Sequence, residues 1–502
     1  MFYTSTRNNS LKISSAKAIV SGISEDGGLF VPEKLPEISS ENLNFLSKMN
    51  YIERASFILS KFLTDFTDEE IFECVNKAYS KEKFSSSDIA QVVNLDENKF
   101  ILELWHGPTC AFKDMALQLL PHLLTTSMKK EAGLKNVKIL VATSGDTGKA
   151  ALEGFKDVDG TSILVFYPEN GVSDMQKLQM VTQDGKNVDV CSIKGNFDDA
   201  QSGVKKIFTD KELGEKLNKN GVFLSSANSI NWGRLVPQIV YYFSAYCDML
   251  KNGYVYNGER INVVVPTGNF GNILAAYYAK KMGLPVKKFI CASNSNNVLT
   301  DFINTGRYDK NRKFYSTISP SMDILISSNL ERLLFHLYNG NDKQICDLYG
   351  KLANEGTFEI SEDVKMKLKE EFYGEFCDDI HTKKTIKNVF DRYKYLVDPH
   401  TAVALNVYDK YVIQTNDNTK TIIASTASPY KFAKDVLCCI GESASENIFE
   451  QLDKLSKITK TEIPKPIFNL NNKNIRFDKV ICKDEMRSYL LNDADCERIK
   501  RI

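Results

Sequence analysis

The chain has 502 residues, 43% hydrophobic and 25% charged, which is the composition of an ordinary globular protein with ample core. Basic and acidic side chains balance at 64 each, so no net field favours nucleic acid or an anionic membrane. No apolar run reaches a transmembrane length and no signal peptide opens the sequence, while eleven scattered cysteines without a Cys-x-x-Cys pair, beside five histidines, write neither a disulfide framework nor a zinc site.

In chain order, the first 24 residues carry Arg7, Lys12 and Lys17, several serines and no acid before Glu25, a composition shared with transit peptides. Residues 1–92 read as short helices and turns, including Tyr51–Leu63 and Asp68–Tyr79, and are expected to form a helical N-terminal domain. From Ile101 the pattern changes to β-branched runs, each followed by a polar loop and a helical stretch. Val137–Ala142 leads through Thr-Ser-Gly-Asp-Thr-Gly into a helix at Lys149–Phe155, and Ser162–Phe166 is the next strand. Ile261–Val265 leads through Pro-Thr-Gly-Asn-Phe-Gly into a helix from Asn272, with Val286–Ala292 following. Thr421–Ala424 leads through Ser-Thr-Ala-Ser-Pro-Tyr into a helix from about Lys431.

Repeated strand–loop–helix units imply an α/β fold with parallel sheets flanked by helices, and ligands bind beyond the carboxyl ends of such strands. Residues 93–440 are expected to form a core of two α/β subdomains. Residues 325–395, charged and mostly helical in pattern, read as an insertion or a link back to that core, and 441–502 as a polar C-terminal tail.

Lys113 stands among Ala111, Phe112, Met115 and Ala116, with Asp114 its charged neighbour in sequence. Burying an ammonium is costly, and a lysine in a dry pocket becomes a nucleophile toward carbonyls, as a Schiff base with pyridoxal phosphate requires. A lysine at a helix start with its head snorkelling to water fits the same residues. Gly268-Asn-Phe-Gly-Asn272 joins a strand to a helix and offers close backbone approach and free N–H groups to a phosphate; an ordinary tight turn fits equally. Pro266 stands where a dinucleotide fingerprint needs its first glycine. Thr143-Ser-Gly-Asp-Thr-Gly148 makes a cradle suited to a carboxylate, or a turn capping the next helix. Ser226-Ala-Asn-Ser-Ile-Asn-Trp-Gly-Arg234 gathers amides, hydroxyls and one guanidinium whose forked donors match an oxyanion; a surface ion pair is the other use of such an arginine.

His106-Gly-Pro-Thr-x-Ala-Phe-Lys-Asp114 resembles the cofactor-lysine motif of the threonine synthases, members of the fold-type II (tryptophan synthase β-like) pyridoxal-phosphate enzymes. Relatives acting on serine, threonine or cysteine keep a shorter core without the His-Gly-Pro lead-in. The resemblance runs from Tyr3 to Phe432 with its motifs in order, and Tyr3–Arg7 and Asp26–Pro32 resemble the family's N-terminal domain, so the first residues read as mature fold.

The resemblance implies pyridoxal 5'-phosphate as cofactor, with Lys113 as its lysine and as the proton carrier at the substrate's α and β carbons. It implies that Gly268, Asn269, Phe270, Gly271 and Asn272 hold the cofactor phosphate, that Thr426 faces the pyridine nitrogen and that Asp146 lies near the ring oxygen. Thr143, Ser144, Gly145 and Thr147 then take the substrate carboxylate, and Asn228, Ser229 and Arg234 the substrate phosphate. This chain departs from the family in having Ser428 where a histidine often stands. His400, in Asp398-Pro-His-Thr-Ala-Val403, is read as structural. The expected reaction converts O-phospho-L-homoserine and water to L-threonine and phosphate, in the cytoplasm, by a monomer or homodimer without metal, nucleic-acid or membrane partners. A serine/threonine dehydratase of the same fold, and a non-enzymatic binder of a phosphorylated ligand, are the alternatives.

Overall fold

A computed structural model describes residues 1–131, 136–143, 145–219 and 221–492. Two parallel sheets organise it. The larger has six strands in the spatial order Phe372–Phe376, Val286–Ser293, Ile261–Pro266, Thr421–Ser425, Lys99–Glu103 and Gln91–Asn94, all parallel except the last. The smaller runs Val480–Cys482, Val188–Lys194, Thr161–Pro168, Asn136–Ala142, Val222–Ser226, parallel throughout. Ile261–Pro266 and Thr161–Pro168 are buried along their whole length, because helices cover both faces, and this explains why both are apolar over most of their length.

The helix Trp232–Lys251 is buried on almost every side and carries Arg234 in its first turn. Its apolar residues surround the axis because helices pack on it from several directions, and no described helix is long and apolar enough to cross a membrane.

The N-terminal part contains the two expected helices, at Tyr51–Ser60 and Asp68–Ala78, each opened by a capping box (Asn50 with Glu53, Thr67 with Glu70). It also contains a three-stranded antiparallel sheet of Asn8–Ile13, Tyr3–Ser5 and Phe30–Pro32 that the sequence reading did not anticipate. Two of these strands are three residues long, too short for a period to register. Tyr3 anchors the segment, its ring 5.3 Å from that of Trp232 and its hydroxyl donating to Phe62 O at 2.9 Å.

The 325–395 segment is largely helical but returns to the core as a strand: Phe372–Phe376 forms the edge of the larger sheet beside Val286–Ser293. The stretch expected as a polar tail is, to residue 492, built into the fold. Its helix Ile448–Thr459 buries Leu452 and Leu455, and Val480–Cys482 extends the smaller sheet beside Ser192–Lys194. That strand exposes Val480 and Cys482 and buries Ile481 alone, so its sequence carries little apolar signal.

Candidate active site

A cavity of about 250 Å³ opens where the carboxyl ends of the two sheets converge. Its wall is made of residues that follow strands: Thr143 and Thr147 after Asn136–Ala142, Asn228 and Ser229 after Val222–Ser226, Thr267 to Asn272 after Ile261–Pro266, and Thr426 after Thr421–Ser425. Lys113, Arg234 and His400 also line it, as does the turn at 320–324. The sequence-expected Lys113, Thr143, Thr147, Asn228, Ser229, Arg234, Gly268, Asn269, Phe270, Gly271, Asn272 and Thr426 thus share one cavity. Gly145 and Asp146 are not on its wall, and Ser144 lies outside the described residues.

Lys113 is held by pairing between two loops distant in sequence. Phe112 N donates to Thr426 O at 2.8 Å, Ser428 N donates to Cys110 O at 3.0 Å, and Cys110 takes the left-handed conformation at φ 57° that turns the chain toward the helix Asp114–Leu117. Asp114 does not serve Lys113. Its carboxylate turns back to accept from Thr109 N at 2.8 Å and Thr109 Oγ1 at 2.7 Å, and Gly107 leaves room for it, since a Cβ there would meet Asp114 at 2.6 Å. The side chain of Lys113 is 13% exposed, and burial pulls its ammonium down to about 8, partly countered by Asp146.

Asp146 is the carboxylate that faces Lys113. Its Oδ2 lies 3.9 Å from Lys113 Nζ, while Oδ1 takes Lys431 Nζ at 2.7 Å and Gln176 Nε2 at 2.9 Å. Burial opposes its charge, yet Lys431 and Lys113 together hold it well below the usual carboxylate range. Gly145 serves this arrangement by having no side chain. At φ +139° its Cβ would lie 2.4 Å from the Gln176 amide that binds Asp146. The Thr143 hydroxyl is committed within its own loop, accepting from Gly145 N and Gly148 N, both at 2.9 Å.

The loop 268–272 meets the helix Gly271–Lys281 through Phe270, left-handed at φ 63°, and no side chain caps that helix. The Phe270 ring packs in the core 5.8 Å from that of Phe372, so backbone rather than ring is what this residue offers a ligand. Gly268 admits the neighbouring turn, since a Cβ there would stand 2.9 Å from Ser321 O. Asn272 Oδ1 accepts from Tyr241 and Tyr242 hydroxyls, each at 2.6 Å, leaving its buried Nδ2 without a partner among the described residues.

Arg234 is 3% exposed and makes no ion pair among the described residues. One guanidinium nitrogen donates to Ala227 O, and Nε has no partner. Burial lowers this guanidinium to about 10, partly countered by Tyr241. The loop before it is fixed from outside: Asn231 Nδ2 donates to Ile19 O at 3.0 Å and Arg332 Nη2 to Ile230 O at 2.6 Å. Ser229 Oγ lies 3.2 Å from Ser328 Oγ, which donates to Asn269 Oδ1 at 3.2 Å, so the two loops touch through one serine.

His400 lines the cavity with both ring nitrogens engaged. Ser321 N donates to Nε2 at 3.2 Å, so the ring proton sits on Nδ1 and goes to Asp398 Oδ2 at 2.6 Å. The sequence reading missed Lys431, Gln176, Tyr241, Tyr242, Ser321 and Ser328. A signal existed only for Lys431, a lysine inside the Thr426 motif, followed by Phe432 and Ala433.

Three family descriptions match the chain in order: "Threonine synthase N terminus" over residues 2–79, "Pyridoxal-phosphate dependent enzyme" over 91–425 and "Threonine synthase, C-terminal" over 401–483. The threonine synthase of Saccharomyces cerevisiae is 36% identical, over 91% of this chain and 94% of its own. The human protein named Threonine synthase-like 1 is 42% identical over 86% of this chain, which spans 60% of that longer relative. Among solved structures, pyridoxal-phosphate-bound threonine synthase from Brucella melitensis superposes with a TM-score of 0.87 at 33% identity, covering 100% of this chain and 99% of its own. Motifs in sequence order, the twin-sheet cavity around Lys113 and the yeast and Brucella relatives, aligned over nearly their full length, agree, and the chain belongs to the threonine synthase family of pyridoxal-phosphate-dependent enzymes.

Proposed function

We propose that this chain is a threonine synthase, converting O-phospho-L-homoserine and water to L-threonine and phosphate in the cytoplasm. The observation that carries the reading is a second anion site in the Lys113 cavity. Arg234 brings a buried guanidinium that no carboxylate among the described residues neutralises, at a place distinct from the uncapped helix start at Gly271. An uncompensated buried charge is costly, so a substrate anion is its natural complement.

Pyridoxal phosphate fits the donors present. The N-terminal amides of Gly271–Lys281 suit its phosphate, with the unpartnered Asn272 Nδ2 beside them, and Lys113 supplies an amine of lowered pKa for its aldehyde. Thr426 is the hydroxyl assigned to the ring nitrogen. When bound, the cofactor supplies an electron sink for carbanions next to the substrate's amine.

The chain's own residues do the remaining work. With cofactor bound, Lys113 Nζ would take the Cα proton and return protons along the carbon chain; an amine titrating near 8 both accepts and donates at neutral pH. Arg234, Asn228 and Ser229 hold the phosphate as its bond to Cγ breaks. Thr147 and the loop amides orient the carboxylate, since the Thr143 hydroxyl is already engaged. The ten described cysteines are free thiols, which suits a reducing compartment.

Purified protein mixed with O-phospho-L-homoserine should release phosphate and form threonine in equal amounts, with Lys113→Ala inactive in both. Phosphate without threonine, or neither product, would overturn the reading. Neither product, from a protein that still binds the phosphorylated substrate, would support the alternative of a non-enzymatic binder.

A further inference from the structure

Lys431 is a lysine with no exposed side-chain surface, in the turn Pro429–Phe432 that follows the Thr426 loop. Its ammonium makes two contacts, Thr109 O at 3.0 Å and Asp146 Oδ1 at 2.7 Å. Those contacts join three separate pieces of the site. Thr109 belongs to the loop that delivers Lys113, Asp146 opens the helix Asp146–Phe155 from the smaller sheet, and Lys431 comes from the end of the larger one. Nothing about the known chemistry of Lys113 requires a second buried ammonium here.

Its position explains one. Asp146 has two oxygens and two lysines. Lys431 takes Oδ1 together with Gln176, and Lys113 is left at 3.9 Å from Oδ2, beyond hydrogen-bond reach, with Ser321 Oγ also 3.5 Å from that oxygen. A buried carboxylate facing Lys113 alone would pull it into a tight ion pair and keep its proton on.

We propose that Lys431 is a positioning residue for Lys113, occupying one oxygen of Asp146 and neutralising it so that Lys113 stays near the carboxylate without being locked to it. The proposal rests on Lys113 being the reactive amine of the function proposed above. The charged groups whose fields reach Lys113 are Asp146, Lys431, Arg234 and, more weakly, Asp114; the field of Lys431 reaches Asp146, Asp114, Lys113 and the thiol of Cys110. Among them Lys431 and Arg234 act to lower the Lys113 pKa, and Asp146 and Asp114 to raise it, so loss of the Lys431 charge shifts the balance toward the protonated amine.

The test measures Lys113 directly. The full-length chain, stripped of cofactor, is acetylated with trace acetic anhydride across the neutral-to-alkaline range, and modification of Lys113 is read by peptide mass spectrometry. Acetyl transfer to Nζ expels acetate and a proton and proceeds only from the free amine. Wild type should titrate near 8. Lys431→Met and Lys431→Gln should shift that midpoint upward by about one unit or more, cutting reactivity at neutral pH about tenfold, while Lys431→Arg keeps it near wild type. The acid limb of threonine formation should move with it. A folded Lys431→Gln chain whose Lys113 titrates like wild type would overturn the proposal, and so would neutral variants that do not fold, which would make the pair structural. Failure of wild type to make threonine leaves this titration intact and tells against the function alone.

Discussion

Lys431 and Asp146 form an ion pair at 2.7 Å in which neither side chain is more than 3% exposed, and the Lys113 ammonium stands 3.9 Å from the other carboxylate oxygen. One negative charge thus serves two positive ones away from water. Asp146→Asn would leave two buried ammoniums uncompensated, and stability should fall by about 3–5 kcal/mol in urea unfolding. In wild type the folded pKa of Asp146 is depressed, so its contribution is present above its unfolded value and is lost as pH falls through the acid range toward the folded one. The Asn variant should therefore lose part of the wild-type acid sensitivity.

Lys113 works in the opposite sense. Its folded pKa, about 8, lies below the ordinary lysine value of 10.5, so between these the unfolded chain holds more protons. Stability of the cofactor-free chain should rise with pH through that window, with a slope of up to about 1.4 kcal/mol per pH unit from this group. Lys113→Met should remove that increment, read as the difference between two denaturation series.

Arg234→Lys keeps a charge but loses the fork. For an interaction of a charged donor worth about 1.5–3 kcal/mol, kcat/KM for O-phospho-L-homoserine should fall roughly 10- to 150-fold. Inorganic phosphate should weaken in parallel as a competitive inhibitor, while cofactor absorbance stays unchanged. Loss of cofactor instead would show that Arg234 serves the wrong phosphate for this scheme.

Tyr241 and Tyr242 both donate to Asn272 Oδ1, so either alone still orients the amide. Each single Tyr→Phe change should cost about 0.5–1.5 kcal/mol. The double variant should lose more than the sum and release cofactor more readily on dialysis, because the Asn272 side chain is then free to rotate.

Gly145→Ala places a Cβ 2.4 Å from the Gln176 amide at a φ of +139°. Backbone strain of about 1–3 kcal/mol should appear in thermal melts, together with a raised Lys113 midpoint in acetylation as Gln176 is pushed from Asp146. A melt that changes with an unchanged midpoint would mean that Gln176 does not tune the pair.

What the sequence carried was local. The βα loops at 143–148 and 266–272 were legible because buried parallel strands write largely apolar runs and tight turns demand glycine. Lys113 was legible as an unusual lysine, and the motifs around it as a resemblance. The strand Val480–Cys482 was hidden, since a three-residue edge strand buries one side chain. The strand Phe372–Phe376 was hidden within a helical stretch, because sheet membership is set by the neighbour it pairs with, here Val286–Ser293.

The partner of Lys113 marks the same boundary at the site. Sequence by itself determined which residues are chemically capable: an amine among apolar neighbours, glycine turns at strand ends, a guanidinium after a polar loop. Asp114, next to Lys113 in sequence, turns back and accepts from Thr109. Only tertiary structure brought Asp146 to Lys113 across 33 positions, and Lys431 to Asp146 across 285. The physical reason is that a buried charge is balanced by whatever group the packing of two sheets delivers within a few ångströms. Coulomb energy depends on that distance and on the exclusion of water, and neither is written along the chain.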